Sequence, residues 1–470
     1  MAAHLVFLPW ALGTMHVWSQ CISFGFSVLS FGLALVPRTY TDGFAGTKSF
    51  RVIMWPKLVR FPVFWIGLGL MLYILVQALN PAWIYCTDGR VWWLQGLNPI
   101  RWLPSGMATP FDQASPWRSL MICATAWMTT CAIWTGFTRR RSLHRLLLTL
   151  ALNGVVLSVV GIVQKLTGAT DILWHFPAPV TYFFATIIYK NHATGYLNLT
   201  LAVALGLVLW YRERADRRME PSDPSLVMLL AVLTIFTADL FTTSRLGMAL
   251  GGVGLGLGIL VYGLLILRQG RTTGNFLPGM LTVGIVVAFA AVGFSLVNWG
   301  SLSGAYQRLL KNDQNVSVIA RIHARDATWQ MFSDNPVTGY GAGAFRFYFP
   351  VYQKQYPDIC QQQVWTGREI VIRPAFWEFA HNDYVQCLAE LGLIGTAFVA
   401  AIVGFWLVRF GRQKRWMHPI GFGAVIAMAL TAVQCWADFE LHNPAILITL
   451  GAILTAASGW VVIEQERTHT

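Results

Sequence analysis

The chain carries very little charge for its length. Only 12% of its 470 residues are Asp, Glu, Lys or Arg, whereas 55% are hydrophobic, and the mean hydropathy is +0.53. Apolar runs of about 18 to 22 residues recur along the sequence, and each is long enough to cross a bilayer as a helix. This composition excludes a soluble fold and predicts an all-α, polytopic membrane protein.

Several other features are scarce or missing. The seven cysteines lie mostly inside apolar runs and are interpreted as small core residues, although a disulfide between Cys86 and Cys360 in the outward loops is an open alternative. No HExxH motif or paired Cys and His spacing occurs, so we expect neither a metal nor a cofactor. We expect no cleavable signal peptide, because the apolar stretch from Leu5 to Val36 is too long for one and lacks a basic start.

The apolar runs predict about eleven membrane helices, or twelve if Leu5 to Gly13 forms a short first span. The predicted spans are residues 14–36, 62–79, 117–137, 144–165, 191–210, 226–243, 246–267, 277–297, 388–409, 419–437 and 445–463. They divide the chain into eight helices with short loops over residues 1–297, one large polar segment over 298–387, and C-terminal helices over 388–470. We expect helical stretches within the polar segment.

The positions of Lys and Arg predict the orientation of the helices. Cytoplasmic loops retain basic residues, and alternate connections collect them here, as in 139–145 and 409–415. The polar segment lies on the side that is poor in basic residues and should face outward. The net charge of +13 is therefore mainly a signal of topology, with an added attraction to anionic membrane lipids, and gives little reason to expect binding of nucleic acid.

The polar segment contains residues suited to bind an anion and to move a proton. Arg321 and Arg325 are one helical turn apart, and two adjacent guanidiniums repel unless an anion such as a diphosphate lies between them. A solvated basic face is the commoner outcome for such a pair. His381 precedes Asn382 at the start of an apolar helix and would suit a general base for a hydroxyl. The alternative is a helix cap at Asn382 beside a packed histidine.

Other candidates lie at outward helix ends. Arg245 lies in the tight turn TTSRLGMALGG, where it would bind an anion, anchor at the interface or pair with Asp239. The stretch DNPVTGYGAGAF lacks the Lys-Ser/Thr of a P-loop and predicts a compact turn, with an anion-binding nest as the alternative. Four residues of KNHATGYLNL and WADFELHNPA are also candidates, although each stretch could simply be a cap: Asn191, His192, Asp438 and His442.

Five segments together carry a resemblance to a known family. They are, in order, KNHATGYLNL, TTSRLGMALGG, RIHARDATWQMFSDNPVTGYGAGAF, AHNDYVQCLAELGLIG and DFELHNPAI. In order, spacing and predicted side they resemble the O-antigen ligase and O-antigen polymerase family of bacterial envelope glycosyltransferases. The resemblance implies a glycan carried on undecaprenyl diphosphate, transferred to a hydroxyl of a glycan or glycolipid acceptor. It also implies a place in the bacterial cytoplasmic (inner) membrane, with the active site facing the periplasm.

The resemblance also implies roles for single residues. Arg245 and Arg321 correspond to arginines that bind the diphosphate, and His381 to the histidine that activates the acceptor. The implied reaction is a metal-independent displacement with inversion. Six further residues are expected to bind substrate: Arg325, Asn191, His192, Asn382, Asp438 and His442. The acceptor stays open between the lipid A core of a ligase, the lipid-linked unit of an O-antigen or exopolysaccharide polymerase, and a protein.

Two other classes of protein compete with the enzyme. A secondary transporter would place ionisable residues or broken helices at the bilayer midplane and would repeat its two halves, whereas this midplane is nearly free of charge. A scaffold for envelope assembly would tolerate the loss of any single polar residue. Four outward tryptophans would stack on sugar rings or gather at the membrane interface: Trp92, Trp93, Trp102 and Trp365.

Overall fold

A computed structural model describes residues 1–41, 49–219, 224–273, 284, 316–365 and 370–468. Within these residues, eight helices are long and apolar enough to cross a membrane. The predicted all-α, polytopic membrane fold is therefore confirmed. The predicted span 277–297, apart from residue 284, and the first part of the polar segment, 298–315, lie outside the described residues.

The helices follow the predicted spans closely. In chain order they are α1 Ala2–Trp10, α2 Val17–Leu35, α3 Trp55–Val59, α4 Pro62–Leu79, α5 Pro116–Gly136, α6 Arg140–Leu166, α7 Lys190–Arg218, α8 Ser225–Phe241, α9 Arg245–Thr273, α10 Val316–Asp334, α11 Phe345–Tyr352, α12 Pro357–Cys360, α13 Asp383–Gly411, α14 Pro419–Ala437 and α15 Pro444–Thr468. Helix α4 coincides with its predicted span, because a proline begins it and the apolar run ends at Asn80.

The first helix does not form a span of its own. At about 1.5 Å per residue, nine residues reach less than half of the roughly 30 Å hydrocarbon core. Helix α1 instead packs beside α2, where His4 Nε2 lies 2.7 Å from Ser23 Oγ. The stretch from Leu5 to Gly13 is therefore not a complete membrane span within the described residues.

Helix α7 is the central helix of the bundle. Its most apolar window is entirely buried inside the protein. It crosses α14 where Gly206 and Gly423 face each other, and a Cβ on Gly423 would lie 2.6 Å from the carbonyl oxygen of Ala202. Small residues allow this close approach of two helices. The approach fixes the relative positions of the start of α7 and the end of α14, where the candidate site forms.

The two ends of the bundle differ in their polar residues. Arg140 at the start of α6 lies 3.7 Å from Glu464 of α15, and His418 before α14 lies 3.5 Å from the same carboxylate. Tyr189 before α7 and Asp438 after α14 lie at the opposite end. The predicted separation of basic loops from the candidate site is therefore present in the bundle.

In the described parts of the chain, three small sheets interrupt the helices. They are the pair of β1 Arg38–Thr41 and β2 Ser49–Val52, the sheet of β3 Pro81–Thr87, β4 Trp92–Gly96 and β5 Gly106–Ala108, and the pair of β6 Gln361–Trp365 and β7 Ile370–Pro374. The expectation of helical stretches in the polar segment missed the last pair. Its sequence, QQQVW and IVIRP, combines β-branched and aromatic residues that favour strands.

A turn of the polar segment, residues 336–341, is hydrogen-bonded to both sides of a break in α13. The break lies at Gly392, whose φ of +61° and ψ of −171° suit glycine alone. There the amides of Leu393 and Ile394 donate to carbonyl oxygens of the turn 336–341, at 2.8 and 3.2 Å. Amides of the same turn donate back to carbonyl oxygens just before the break, at 3.0 and 2.8 Å. This exchange fixes α10 relative to the N-terminus of α13.

The cysteines form no disulfide in the described part of the chain. The Sγ of Cys86 lies 3.8 Å from Gln95, and Cys360 donates to the carbonyl oxygen of Gln353 at 2.8 Å. The alternative of a Cys86–Cys360 disulfide is therefore not realised.

Candidate active site

His381 lies at the start of α13 in a strained backbone conformation. Its φ is +52°, in a region that costs a residue other than glycine about 1–3 kcal/mol. The next residue, Asn382, caps the helix by accepting from the amides of Tyr384 and Val385, at 3.1 Å each. The amide of Asn382 also donates to the carbonyl oxygen of Trp436 at 2.8 Å. The oxygen and the NH2 group of the Asn382 side chain are thus both hydrogen-bonded within the protein, as expected if Asn382 caps the helix.

Asp438 is the carboxylate partner of His381. Nδ1 of the imidazole lies 2.9 Å from Oδ1 of Asp438, which is 2% exposed. A carboxylate only accepts hydrogen bonds, so Nδ1 carries a proton, and in the neutral form of the ring Nε2 is the nitrogen with the free lone pair. Burial raises the pKa of Asp438, but the hydrogen bond and charge of His381, with the charge of Arg321, outweigh it and hold the pKa at about 2. Such a carboxylate orients a histidine base.

Arg321 joins the polar segment to the membrane helices at this point. Its guanidinium donates to the carbonyl oxygen of Ala437 at 3.2 Å and to the hydroxyl of Tyr189 at 3.4 Å. It also lies 3.7 Å from Oδ2 of Asp438. The side chain is 36% exposed, so part of its hydrogen-bonding fork faces outward and is accessible to an anion.

The second oxygen of Asp438 connects the site to the start of α7. Tyr189 donates its hydroxyl to Oδ2 at 3.1 Å, and the side-chain amide of Asn191 donates to the same oxygen. The carbonyl oxygen of the Asn191 side chain accepts from the hydroxyl of Ser244 at 2.8 Å. Asn191 therefore links Asp438 to the residue directly before Arg245.

Arg245 is exposed at the first position of α9. It forms no salt bridge with Asp239 within the described residues, because Asp239 is fully buried and neither of its carboxylate oxygens has a hydrogen-bond partner there. Lys190 is instead close enough to both Arg245 and Arg321 for their charges to interact. Three cations thus lie at this end of the bundle near the carboxylate of Asp438, whereas the nearby Asp383 pairs with His442, and an anion is favoured beside the cations.

The two other histidines of the site are hydrogen-bonded to groups of the protein itself. His192 is 1% exposed, and its Nε2 lies 3.3 Å from the carbonyl oxygen of Phe439. Nδ1 of His442 lies 2.6 Å from Asp383, and its Nε2 lies 3.1 Å from the Gln386 amide. These contacts support Phe439 and the start of α13. The structure brings both histidines to the candidate site, behind the surface that carries Arg321.

Arg325 takes a different direction from Arg321. Its guanidinium lies 3.0 and 3.2 Å from the carboxylate of its neighbour Asp326. His323, on the same helix, lies 2.8 Å from Asp358 and stacks on Tyr356. Sharing a helical face with Arg321 therefore does not bring Arg325 into contact with Asp438 among the described residues.

The glycine-rich turn binds a carboxylate of the protein itself. The amides of Gly343 and Phe345 donate to the two oxygens of Glu390, at 2.9 and 3.2 Å, and the amide of Ala342 donates to Gln77 at 3.1 Å. This segment is the compact turn that the sequence predicts. Its amide donors are used internally, and so the alternative of an external anion in this nest is not supported.

Glu440 lies two residues after Asp438 and is fully buried. Its Oε1 accepts from Gln434 at 2.7 Å, whereas Oε2 has no partner in the described part of the chain. Burial, with the charges of Asp438 and Asp383, raises the pKa of Glu440. A Cβ on Gly195 of α7 would overlap this carboxyl group, which explains the glycine in KNHATGYLNL.

The outward tryptophans divide into packed and exposed side chains. Trp92 stacks on Tyr85 and contacts the edge of Phe347, with ring centroids 6.0 and 6.2 Å apart. Trp93 is 48% exposed and Trp102 is 81% exposed. Trp92 is therefore used in packing, while Trp93 and Trp102 stay free to contact a sugar or the membrane interface. The side chain of Trp365 lies outside the described set.

Sequence reasoning missed several members of the site. Tyr189 and Lys190 directly precede the Asn191 that it named, and Ser244 directly precedes Arg245. Asp438 was named as a binder of substrate and not as the partner of His381. Adjacency to a named motif would have found the first three residues. The pairing of Asp438 with His381 depends on a contact between residues 57 positions apart in the chain.

Among the described residues, no group of three or more His, Cys, Asp or Glu side chains is arranged to hold a metal ion. His323, His381 and His442 each contact one carboxylate. The His381–Asp438 pair and the cations near it suit proton transfer and binding of an anion.

Part of the chain matches a known protein family. The sequence model of the family described as O-antigen ligase matches residues 226–400, and no curated protein matches the chain. The matched region runs from α8 into α13 and includes Arg245, Arg321 and His381. Asn191 and Asp438 lie outside it and reach the site through the fold.

Proposed function

We propose that this chain, which carries a domain of the O-antigen ligase family at residues 226–400, is an O-antigen ligase-like glycosyltransferase. It moves a glycan from undecaprenyl diphosphate to a hydroxyl of an acceptor, the lipid A core or a similar glycolipid. The chain lies in the bacterial cytoplasmic membrane, and its site faces the periplasm. The observation that carries the proposal is the His381–Asp438 pair beside a cluster of cations at one end of a membrane bundle.

The cations provide a place for the diphosphate. Arg321, Arg245 and Lys190 carry three positive charges near the carboxylate of Asp438, so an anionic group is favoured next to them. Their position at the outward end of the bundle suits a lipid that stays in the membrane while its diphosphate reaches the surface. As the glycosidic bond breaks, charge grows on the leaving diphosphate. Guanidiniums that are already in place stabilise that charge, an effect of about 10²- to 10³-fold per donor.

His381 provides the base. Its Nε2 takes the proton of the acceptor hydroxyl while the oxygen attacks the anomeric carbon and the bond to the diphosphate breaks. Asp438 stabilises the imidazolium that forms and holds the ring in the required tautomer. A single displacement of this kind inverts the anomeric carbon. The proton passes from His381 to solvent after the product leaves.

Ligase and polymerase activities differ in the acceptor and share this chemistry. The test is therefore a transfer assay with the purified full-length chain in nanodiscs and a fluorescent undecaprenyl-diphosphate glycan. A lipid A-core acceptor and a second lipid-linked glycan are offered in parallel. We expect product with the lipid A-core acceptor and turnover that is unchanged by chelation of divalent cations. Product with the lipid-linked glycan alone would identify a polymerase.

The same assay with Arg321→Ala and His381→Ala tests the site. Each variant is expected to lose at least about 10²-fold in kcat. Absence of transfer by the wild-type chain to any acceptor would overturn the proposed activity. Normal turnover in both variants would overturn the site while leaving the activity in place.

A further inference from the structure

A row of stacked aromatic rings runs behind His381. Tyr189 stacks on Phe439 with ring centroids 5.2 Å apart, and Phe439 stacks on Phe379 with centroids 4.3 Å apart. The imidazole of His381 meets the middle ring, Phe439, edge-on at 4.9 Å. Arg321 contacts the Tyr189 end of the row. The histidine therefore lies near the centre of a row that begins at the diphosphate-binding arginine.

A second arginine lies at the other end of the row. The guanidinium carbon of Arg346 lies 5.7 Å over the ring of Phe379. Arg346 is on α11, next to the glycine-rich turn that is fastened into α13. The hydrogen bonds between this turn and α13 therefore hold Arg346 in place together with α10 and the start of α13, where His381 lies. The two arginines lie on opposite sides of the histidine along one row.

The hydrogen-bonding capacity of Arg346 is poorly used. Its side chain is 13% exposed, and its buried Nε has no hydrogen-bond partner in the described residues. The nearest carboxylate, Glu378, is 3.7 Å away and 58% exposed, a distance and exposure at which an ion pair contributes little. The charge of Arg118 also acts on Arg346. A guanidinium that is mostly buried and weakly paired favours binding of a carboxylate or phosphate.

We propose that Arg346 binds an acidic substituent, a phosphate or carboxylate, on the acceptor glycan. The inference rests on the proposed function, because a displacement with inversion places the attacking and leaving oxygens on opposite faces of the sugar. With the diphosphate at Arg321, the acceptor lies on the side of His381 that faces Arg346. Arg346 therefore selects the acceptor and takes no part in the breaking of the glycosidic bond.

The test compares Arg346→Met with the wild-type chain on matched acceptors. One acceptor carries phosphate and is compared with the same acceptor after phosphatase treatment. The other carries a uronic acid and is compared with its carboxyl-reduced form. A charged hydrogen bond contributes about 1.5–3 kcal/mol, so the acceptor KM of the variant should rise about 10- to 150-fold for an acidic form. Its kcat, its KM for the glycan donor and its turnover of the neutral forms should stay unchanged.

Three controls make the result decisive. Glu378→Gln removes the weak counter-charge of Arg346 and should leave the acceptor KM equal or lower. Arg346→Gln repeats the test if Arg346→Met lowers the melting temperature. Binding of the phosphorylated acceptor without any glycan donor is measured in parallel, so that a failure of the transfer reaction does not decide the outcome.

The contrary results are distinct. Equal losses with acidic and neutral acceptors, or a fall in kcat at constant KM, would assign Arg346 a packing role on Phe379 and overturn the inference. Unchanged kinetics and unchanged binding would overturn it as well. Failure of the wild-type chain to transfer would refute the proposed function, and the binding measurement would still decide the role of Arg346.

Discussion

Asp438→Asn is expected to remove most of the activity while keeping the shape of the site. An amide offers one oxygen and one NH2 group, whereas the carboxylate offers two acceptors. If the oxygen faces His381, the NH2 group faces the hydrogen-bond donors of Tyr189 and Asn191. If the NH2 group faces His381, the imidazole must carry its proton on Nε2 and cannot accept one there. The first arrangement loses the negative charge that stabilises the imidazolium, and the second removes the lone pair that accepts the proton.

The size of the effect follows from the hydrogen bond that is lost. A hydrogen bond to a charged group contributes about 1.5–3 kcal/mol, which corresponds to about 10- to 150-fold in rate. Loss of the correct tautomer adds to this, up to the roughly 10²- to 10⁴-fold contribution of a general base. We therefore expect kcat to fall on the order of 10²- to 10³-fold.

The same substitution affects stability in a predictable direction. The folded pKa of Asp438 is about 2, below its ordinary value of 3.8. A carboxylate with a lowered pKa stabilises the fold above its unfolded pKa, and this contribution is lost as the pH falls through the folded pKa. The variant should therefore be less stable at neutral pH by about 2 kcal/mol, with the difference disappearing below about pH 4 towards pH 2.

The assay is a double-mutant cycle on kcat with Asp438→Asn, His381→Ala and the double variant. Because Asp438 acts through His381, the double variant should be no slower than His381→Ala alone. Melting temperatures in the same nanodiscs show whether each variant is folded. Turnover of Asp438→Asn within about threefold of wild type, or losses that multiply in the double variant, would refute the reasoning.

Three further substitutions test neighbouring parts of the structure. Glu440→Gln should flatten the pH dependence of the melting temperature. A carboxyl group whose pKa is raised by folding stabilises the fold below its unfolded pKa, and this contribution is lost as the pH rises towards the folded pKa. A wild-type melting temperature that is constant from pH 5 to 8 would contradict this expectation. Gly392→Ala should lower the melting temperature strongly. The added Cβ would overlap the turn that is hydrogen-bonded to α13, and the backbone angles of this residue suit glycine alone. A normal melting temperature would show that the break in α13 is not needed for stability. Arg325→Ala should cost less than about threefold in kcat, against about 10²-fold for Arg321→Ala, because Arg325 pairs with Asp326; equal losses would place both arginines on the substrate.

The membrane helices were the part of the fold that the sequence predicted best. Apolar length decides a span by itself, so α4 and α14 were placed at their observed ends. The β6–β7 hairpin was missed because its two short strands stabilise each other and neither has a strong pattern alone. The break at Gly392 was missed as well, since it depends on a turn some 50 residues earlier in the chain that replaces the lost helical hydrogen bonds.

The sequence named most of the residues that the fold brings together at the candidate site, but not the contacts between them. Arg321 and His381 came from motif order, and the fold brings both to Asp438. Helical spacing also grouped Arg325 with Arg321, yet the adjacent Asp326 draws Arg325 away. Spacing along a helix predicts which residues have neighbouring Cβ atoms. The charged group at the end of a long side chain can still turn to a nearer opposite charge.

The central claim is that His381 is the base, and the chain contains a matched control. His323 lies 2.8 Å from Asp358, much as His381 lies 2.9 Å from Asp438, but its side chain starts about 200° around α10 from that of Arg321 and contacts Asp358 and Tyr356 instead of Asp438. The decisive measurement is kcat for His381→Ala and His323→Ala in one preparation. The account predicts a loss of about 10²- to 10⁴-fold for His381→Ala and nearly wild-type turnover for His323→Ala. Equal effects of the two substitutions, or normal turnover without His381, would contradict it.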